Sequence, residues 1–153
     1  MKKIICAALA SVFLLAVCAA CGKAKPEPSF PATVTIQTLL DSGAFSETLE
    51  ELDPMLLFPL SGEAEDYEGS LLYYSTGATS ETAAVIAVRD ADQAAAVEEV
   101  LHTWVDGQIE AERNYRPAEV EKLEHAIVET RGFTVLLVVA ADWEKAAQAI
   151  PAE

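Results

Sequence analysis

An almost unbroken apolar run covers Ile4 to Val17, and the rest of the chain alternates between short apolar blocks and acidic, turn-rich segments. After a proline-rich stretch, Ile36, Leu39 and Leu40 recur at helical spacing. Thr35 is the predicted cap of that short helix, and Gly43 lies just past its end. Asp53-Pro54 has the form of a second helix start, with Asp as N-cap and Pro in the first turn. Met55 to Phe58 would form that turn, and Pro59 would stop it. Ser61 to Gly69 reads as a loop. Leu71 to Ser75 and Ala83 to Arg89 read as strands joined by the polar loop Thr76-Gly77-Ala78-Thr79-Ser80, an antiparallel hairpin. The second of these strands is apolar on both faces, which predicts cover on both.

Asp90 and Asp92 open the longest predicted helix, about Ala91 to Asn114. Its apolar line is Ala94, Val97, Leu101, Trp104, then Gln108, Ala111 and Tyr115. Gly107 marks a weak spot within it, because glycine in a helix interior costs about 1 kcal/mol relative to alanine. Arg116 precedes Pro117, which biases it to extended geometry and lets Pro117 start a short helix to about Leu123. Ala126 to Ala140 predicts a second hairpin turning at Gly132, with Phe133 to Ala140 as the most apolar and therefore central strand. Trp143 to Ile150 forms a last helix, ended by Pro151. The pattern predicts an α+β domain: an antiparallel sheet of about four strands in ββαββα order with packed helices, preceded by short N-terminal helices.

The N-terminus reads as an address. Lys2 and Lys3 precede the apolar run and small residues follow it, the parts of a secretory signal. A mature spanning helix needs about 20 apolar residues, more than this run supplies. Cys18-Ala19-Ala20-Cys21 resembles the bacterial lipobox, with Cys18 where that motif usually has Leu. Cys18 is a second candidate, but Val17 before it is bulkier than the motif admits. The resemblance implies a diacylglyceryl group on the Cys21 thiol, two acyl chains and hence a stable membrane anchor. The expected division is a signal over residues 1–20, a lipidated Cys and proline-rich tether over 21–32, and one domain over 33–153. Gly22 to Pro31, at about 3.1 Å per residue, would lift the domain about 30 Å from the membrane. The location implied is the extracytoplasmic face of the cell membrane.

Cysteine count and charge then narrow the domain's chemistry. The three cysteines are Cys6, Cys18 and Cys21, so a processed and acylated chain keeps no thiol for a disulfide or a metal. It must stand on its own apolar core. The chain holds 10 Lys and Arg against 25 Asp and Glu. Without Lys2 and Lys3 the balance is 8 against 25, a net charge of −17. That field repels nucleic acid and anionic lipid headgroups. It aids solubility, and it favours cations or basic partners.

Several features in order resemble the bacterial lipoproteins grouped as domain of unknown function 4358. They are Tyr73-Tyr74-Ser75 before a Gly-containing loop, Glu81 opening an Ala/Val/Ile strand, and a long helix ending in Asn114-Tyr115-Arg116-Pro117-Ala118-Glu119. Ala126-Ile127-Val128 leading to Gly132-Phe133 completes the set. The similarity covers about Thr33 to Ile150. The sequence departs at Trp104, which stands about where the family's long helix carries an Arg. The resemblance implies an exported, lipid-anchored domain and brings no activity with it.

Candidate chemistry is sparse. Glu63, Glu65, Asp66 and Glu68 supply the oxygens a Ca²⁺ ion takes, but the spacing of a calcium loop is absent, and a solvated acidic loop is the simpler account. Tyr115, Arg116 and Glu119 form a candidate interaction patch at a helix corner. The plainer reading has Tyr115 seal the core and Glu119 sit at the positive end of a helix. Ser75, Thr76 and Glu81, with Thr79 and Ser80, make a hydroxyl-rich loop able to hold a sugar or peptide, or simply a turn. His102 and His125 lack the nucleophile or paired-ligand spacing of a hydrolase or metal site. There is no Gly-x-Ser-x-Gly and no Gly-rich phosphate loop. No cofactor is implied and no catalytic residue stands out. The expectation is a lipid-anchored binding module whose partner is an envelope protein or cell-wall component. A small hydrolase or wall-modifying enzyme, or a cation-binding domain, are the alternatives.

Overall fold

Five strands form one antiparallel sheet in the computed structural model of the chain, which describes residues 30–77 and 79–152. The elements in chain order are α1 (Ala32–Asp41), β1 (Leu49–Leu52), α2 (Pro54–Leu57), a 3₁₀ turn (Ala64–Tyr67), β2 (Leu71–Ser75) and β3 (Thr82–Ala87). Then come α3 (Ala91–Glu112), α4 (Pro117–Glu124), β4 (Ile127–Arg131), β5 (Thr134–Val139) and α5 (Trp143–Ala149). The strand order is β1-β2-β3-β5-β4, so the two hairpins join through β3 and β5, with Val85 opposite Leu136. Among the described residues no helix is long and apolar enough to cross a membrane. The segments expected to form a signal and a tether, with Cys21, lie outside the described residues as far as residue 29.

Strand side chains alternate between faces, and here both faces are covered. Ala84 and Ile86 of β3, with Val135, Leu137 and Val139 of β5, meet Ala94, Val97, Leu101 and Val105 of α3 and Leu123 of α4. Ala83 and Val85, with Leu136 and Val138, meet Ile36 and Leu39 of α1 and Ala146 of α5. That is why β3 and β5 read as continuous apolar runs. Helix punctuation follows the side chains: Asp53, Asp90 and Asp142 each accept a backbone N–H, from Met55, Gln93 and Lys145, at 2.8–2.9 Å. Gly132 takes φ +57° at the β4–β5 turn, the left-handed region that favours glycine.

Four expectations change. The sheet is antiparallel as expected and has five strands where about four were expected, because Leu49–Leu52 pairs with β2. Helix α1 begins at Ala32, and Thr35, expected as its cap, is buried inside it. Phe30, expected in the tether, is 1% exposed beneath the Arg131 guanidinium. The buried line of α3 runs through Ala94, Val97, Leu101, Val105 and Glu112. It passes beside the expected Ala111 and Tyr115, because α3 ends at Glu112 and the chain turns, leaving Tyr115 87% exposed. The helix runs straight through Gly107. Trp104 is half-buried and packs edge-on to Phe58, with ring centroids 5.2 Å apart.

Candidate functional site

The end of the sheet where β2 turns into β3 gathers buried charges from four segments. Ser75 N–H donates to the Glu81 carbonyl at 3.0 Å, which closes the hairpin and leaves residues 76–80 as its loop. Thr82 Oγ1 donates back to the Ser80 carbonyl at 3.0 Å. Glu81 follows that loop with a side chain that is 0% exposed. An isolated carboxylate in such a place would be severely destabilising, so its partners decide what it does.

Those partners come from distant parts of the chain. Ser46, between α1 and β1, donates its N–H to Glu81 Oε2 at 2.8 Å and its hydroxyl to Oε1. Glu47 N–H reaches Oε2 at 3.4 Å. Lys122 of α4 places Nζ 2.9 Å from Glu81 Oε1 and 3.1 Å from Glu119 Oε1. The other Glu119 oxygen accepts the Ser80 N–H at 2.8 Å. Glu119 stands in the first turn of α4, where the helix end favours negative charge. Beside it, Arg116 Nε donates to Glu112 Oε2 at 2.7 Å and its Nη2 to Glu112 Oε1, a two-point pair four residues apart. Ser75 Oγ donates to Glu47 Oε2 at 2.9 Å on the opposite flank.

The protonation states follow from these contacts. Burial alone would push the Glu81 carboxyl up, but the Ser46 hydroxyl, the Lys122 ammonium and the Ser46 amide together hold it below the ordinary carboxylate value. Burial likewise works against the Lys122 charge, and its bonds to Glu81 and Glu119 raise it overall. The Arg116 pair lowers Glu112 and raises Arg116. Glu81, Lys122, Glu112 and Arg116 are therefore ionised near neutrality. Both Glu81 oxygens already accept donors, so it has no proton to give and little basicity to offer. The arrangement locks the Ser46–Glu47 segment, the β2–β3 loop and α4 to one another.

The structure thus brings Ser75, Glu81, Arg116 and Glu119 to one end of the molecule. Thr76 lies exposed in the loop above them, and Tyr115 is an exposed ring at the α3–α4 corner rather than a seal on the core. Sequence reasoning passed over Ser46, Glu47, Glu112 and Lys122 as site residues. Glu112 to Arg116 and Glu119 to Lys122 carry the helical i,i+4 and i,i+3 signals that reveal such pairs. Nothing local marks Ser46.

The other candidates separate. His102 is exposed on α3. His125 is stacked on Trp143 at 3.9 Å, with Nδ1 2.8 Å from the Glu121 carbonyl. Among the described residues neither histidine meets a hydroxyl or a carboxylate. Asp66 is held by Glu63 N–H and by Arg89, 2.9 Å away. No group of three or more His, Cys, Asp or Glu among the described residues is placed to hold a metal ion. A cleft of about 450 Å³ lies at the opposite end of the β1–β2 pair, between β1, α2 and the 3₁₀ turn.

The family model for the domain of unknown function (DUF4358) matches residues 60–140. The chain belongs to that family. The matched span runs from before β2 to the end of β5 and includes Glu81, Glu112, Arg116, Glu119 and Lys122, whereas Ser46, α1, β1 and α5 lie outside it. No curated protein and no solved structure matches the chain.

Proposed function

We propose that this chain is a lipid-anchored interaction module of the cell envelope, held on the extracytoplasmic face through Cys21. Its contact face is the β2–β3 loop together with the Tyr115–Arg116 corner. One observation carries the choice of binding over catalysis. The buried carboxylate that a hydrolase would use, Glu81, has both oxygens saturated by Ser46, Glu47 and Lys122. Such a network serves to hold a recognition loop in one shape, which lowers the ordering cost of binding. The lipobox resemblance at Cys18-Ala19-Ala20-Cys21 and the tether support the location. A protein or a wall polymer is the fitting class of partner for an exposed polar loop beside an exposed tyrosine.

The test uses the full chain on living cells, with a photo-cross-linking residue in place of Thr76. The expected result is one dominant adduct that is lost when Tyr115 and Arg116 are both changed to Ala. Labelling with an alkyne fatty acid should mark the wild type and leave Cys21→Ser unmarked and released from membranes. Background adducts only, or unchanged labelling of Cys21→Ser, contradicts the reading.

A further inference from the structure

A second face carries features that the loop network does not use. In the register of β1 and β2, Glu50 faces Tyr74 and Leu52 faces Leu72. Ser75 N–H bonds the Glu81 carbonyl, so Ser75 and, two residues back, Tyr73 point their backbone groups at β3. Leu72 and Tyr74 therefore bond β1, through Leu52 and Glu50. The N–H and C=O groups of Leu49, a residue only 6% exposed, and of the exposed Glu51 point outward from the sheet. Among the described residues they meet no hydrogen-bond partner. Beside this open edge lies the 450 Å³ cleft, with Leu52, Met55, Tyr67 and Leu72 in its wall and Glu51 and Asp53 also lining it. Leu56, on the adjoining α2, is 75% exposed.

Charge selects the occupant. No Lys or Arg occurs between Lys25 and Arg89, while eleven Asp and Glu fall in that stretch. Glu50, Glu51 and Asp53 flank the edge, and among the described residues none of them is in an ion pair. A second copy pairing through its own β1 would set glutamates against glutamates, a destabilising match. A strand carrying Lys or Arg reverses that sign.

We infer that the β1 edge is a strand-addition site for an extended, basic segment of a partner protein. The partner's backbone pairs with Leu49 and Glu51, and an apolar side chain enters the cleft. This deepens the reading of the domain as an interaction module, and its test is independent of the lipid and of the β2–β3 loop.

The experiment titrates the full chain in mild detergent with a fluorescein-labelled Lys-Val-Lys-Val-Lys-Val-Lys peptide, followed by anisotropy and amide exchange. A peptide of equal charge with all three valines replaced by proline, Lys-Pro-Lys-Pro-Lys-Pro-Lys, lacks the valine donors and cannot pair as a strand. Binding of the first, weakened about tenfold in the second, supports the inference. So does slowed exchange at the Leu49 and Glu51 amides. Glu51→Pro removes an outward N–H without touching the β2 ladder, so it should weaken binding about tenfold. If that variant melts early, the exchange of the wild-type amides decides. Equal binding of both peptides, or binding that leaves Leu49 and Glu51 exchange unchanged, overturns the inference. So does no binding, and any of these leaves the Thr76 cross-linking result standing.

Discussion

Lys122 Nζ bridges two buried carboxylates, 2.9 Å from Glu81 and 3.1 Å from Glu119, and so fastens α4 to the start of β3. Its side chain is only 16% exposed and Glu81 is fully buried, so solvent cannot replace the pairing. Lys122→Met should cost about 3–5 kcal/mol in urea unfolding, because it strands a buried charge. Adding Glu81→Gln to that variant should recover part of the loss. Ser46→Ala, which keeps the backbone donor, should cost less, about 1–3 kcal/mol.

Stability should fall at both ends of the pH range, with signs set by the shifts. Glu81 and Glu112 are lowered in the folded state. Their stabilisation is present above the ordinary glutamate value, about 4.3, and is lost as pH falls through the lowered folded values. Lys122 is raised. Its contribution is present below the ordinary lysine value, about 10.4, and is lost as pH rises through the folded value. In Lys122→Met, burial pushes Glu81 up without the opposing ammonium, so the acid unfolding midpoint should move to higher pH. Circular dichroism across pH 2–6 would measure it.

Two glycines should respond in opposite directions. Gly107 is exposed within α3 and a Cβ there meets nothing within 4 Å, so Gly107→Ala should stabilise by about 0.5–1 kcal/mol. Gly132 has φ +57°, and Gly132→Ala should cost about 1–2 kcal/mol, with Asn tolerated better. Thermal unfolding of the two variants would check both signs.

The hairpins and helices α3, α4 and α5 were legible because their burial leaves a local mark, an apolar period or a capping Asp. Strand β1 was not. Leu49-Glu50-Glu51-Leu52 has no β-branched or aromatic residue, and it becomes a strand because Leu72 and Tyr74 on β2 need backbone partners. The α3 face was misplaced near its end, since a buried Glu112 reads as solvated until Arg116 is set beside it. The same holds for the candidate site. Glu81, Arg116 and Glu119 were visible as residues, but Ser46 is 35 positions from Glu81 in sequence, and only the fold joins them.

Glu81 is a saturated structural carboxylate rather than a reactive one. Its side-chain carboxyl ¹³C shift, followed from pH 2 to pH 9 by NMR, tests that directly. The expected result is a titration below the ordinary glutamate range and a flat signal through neutrality, with Lys122→Met shifting the titration upward. A Glu81 that titrates between pH 5 and pH 8 in the wild type would hold a transferable proton, and would contradict the account in favour of acid–base chemistry.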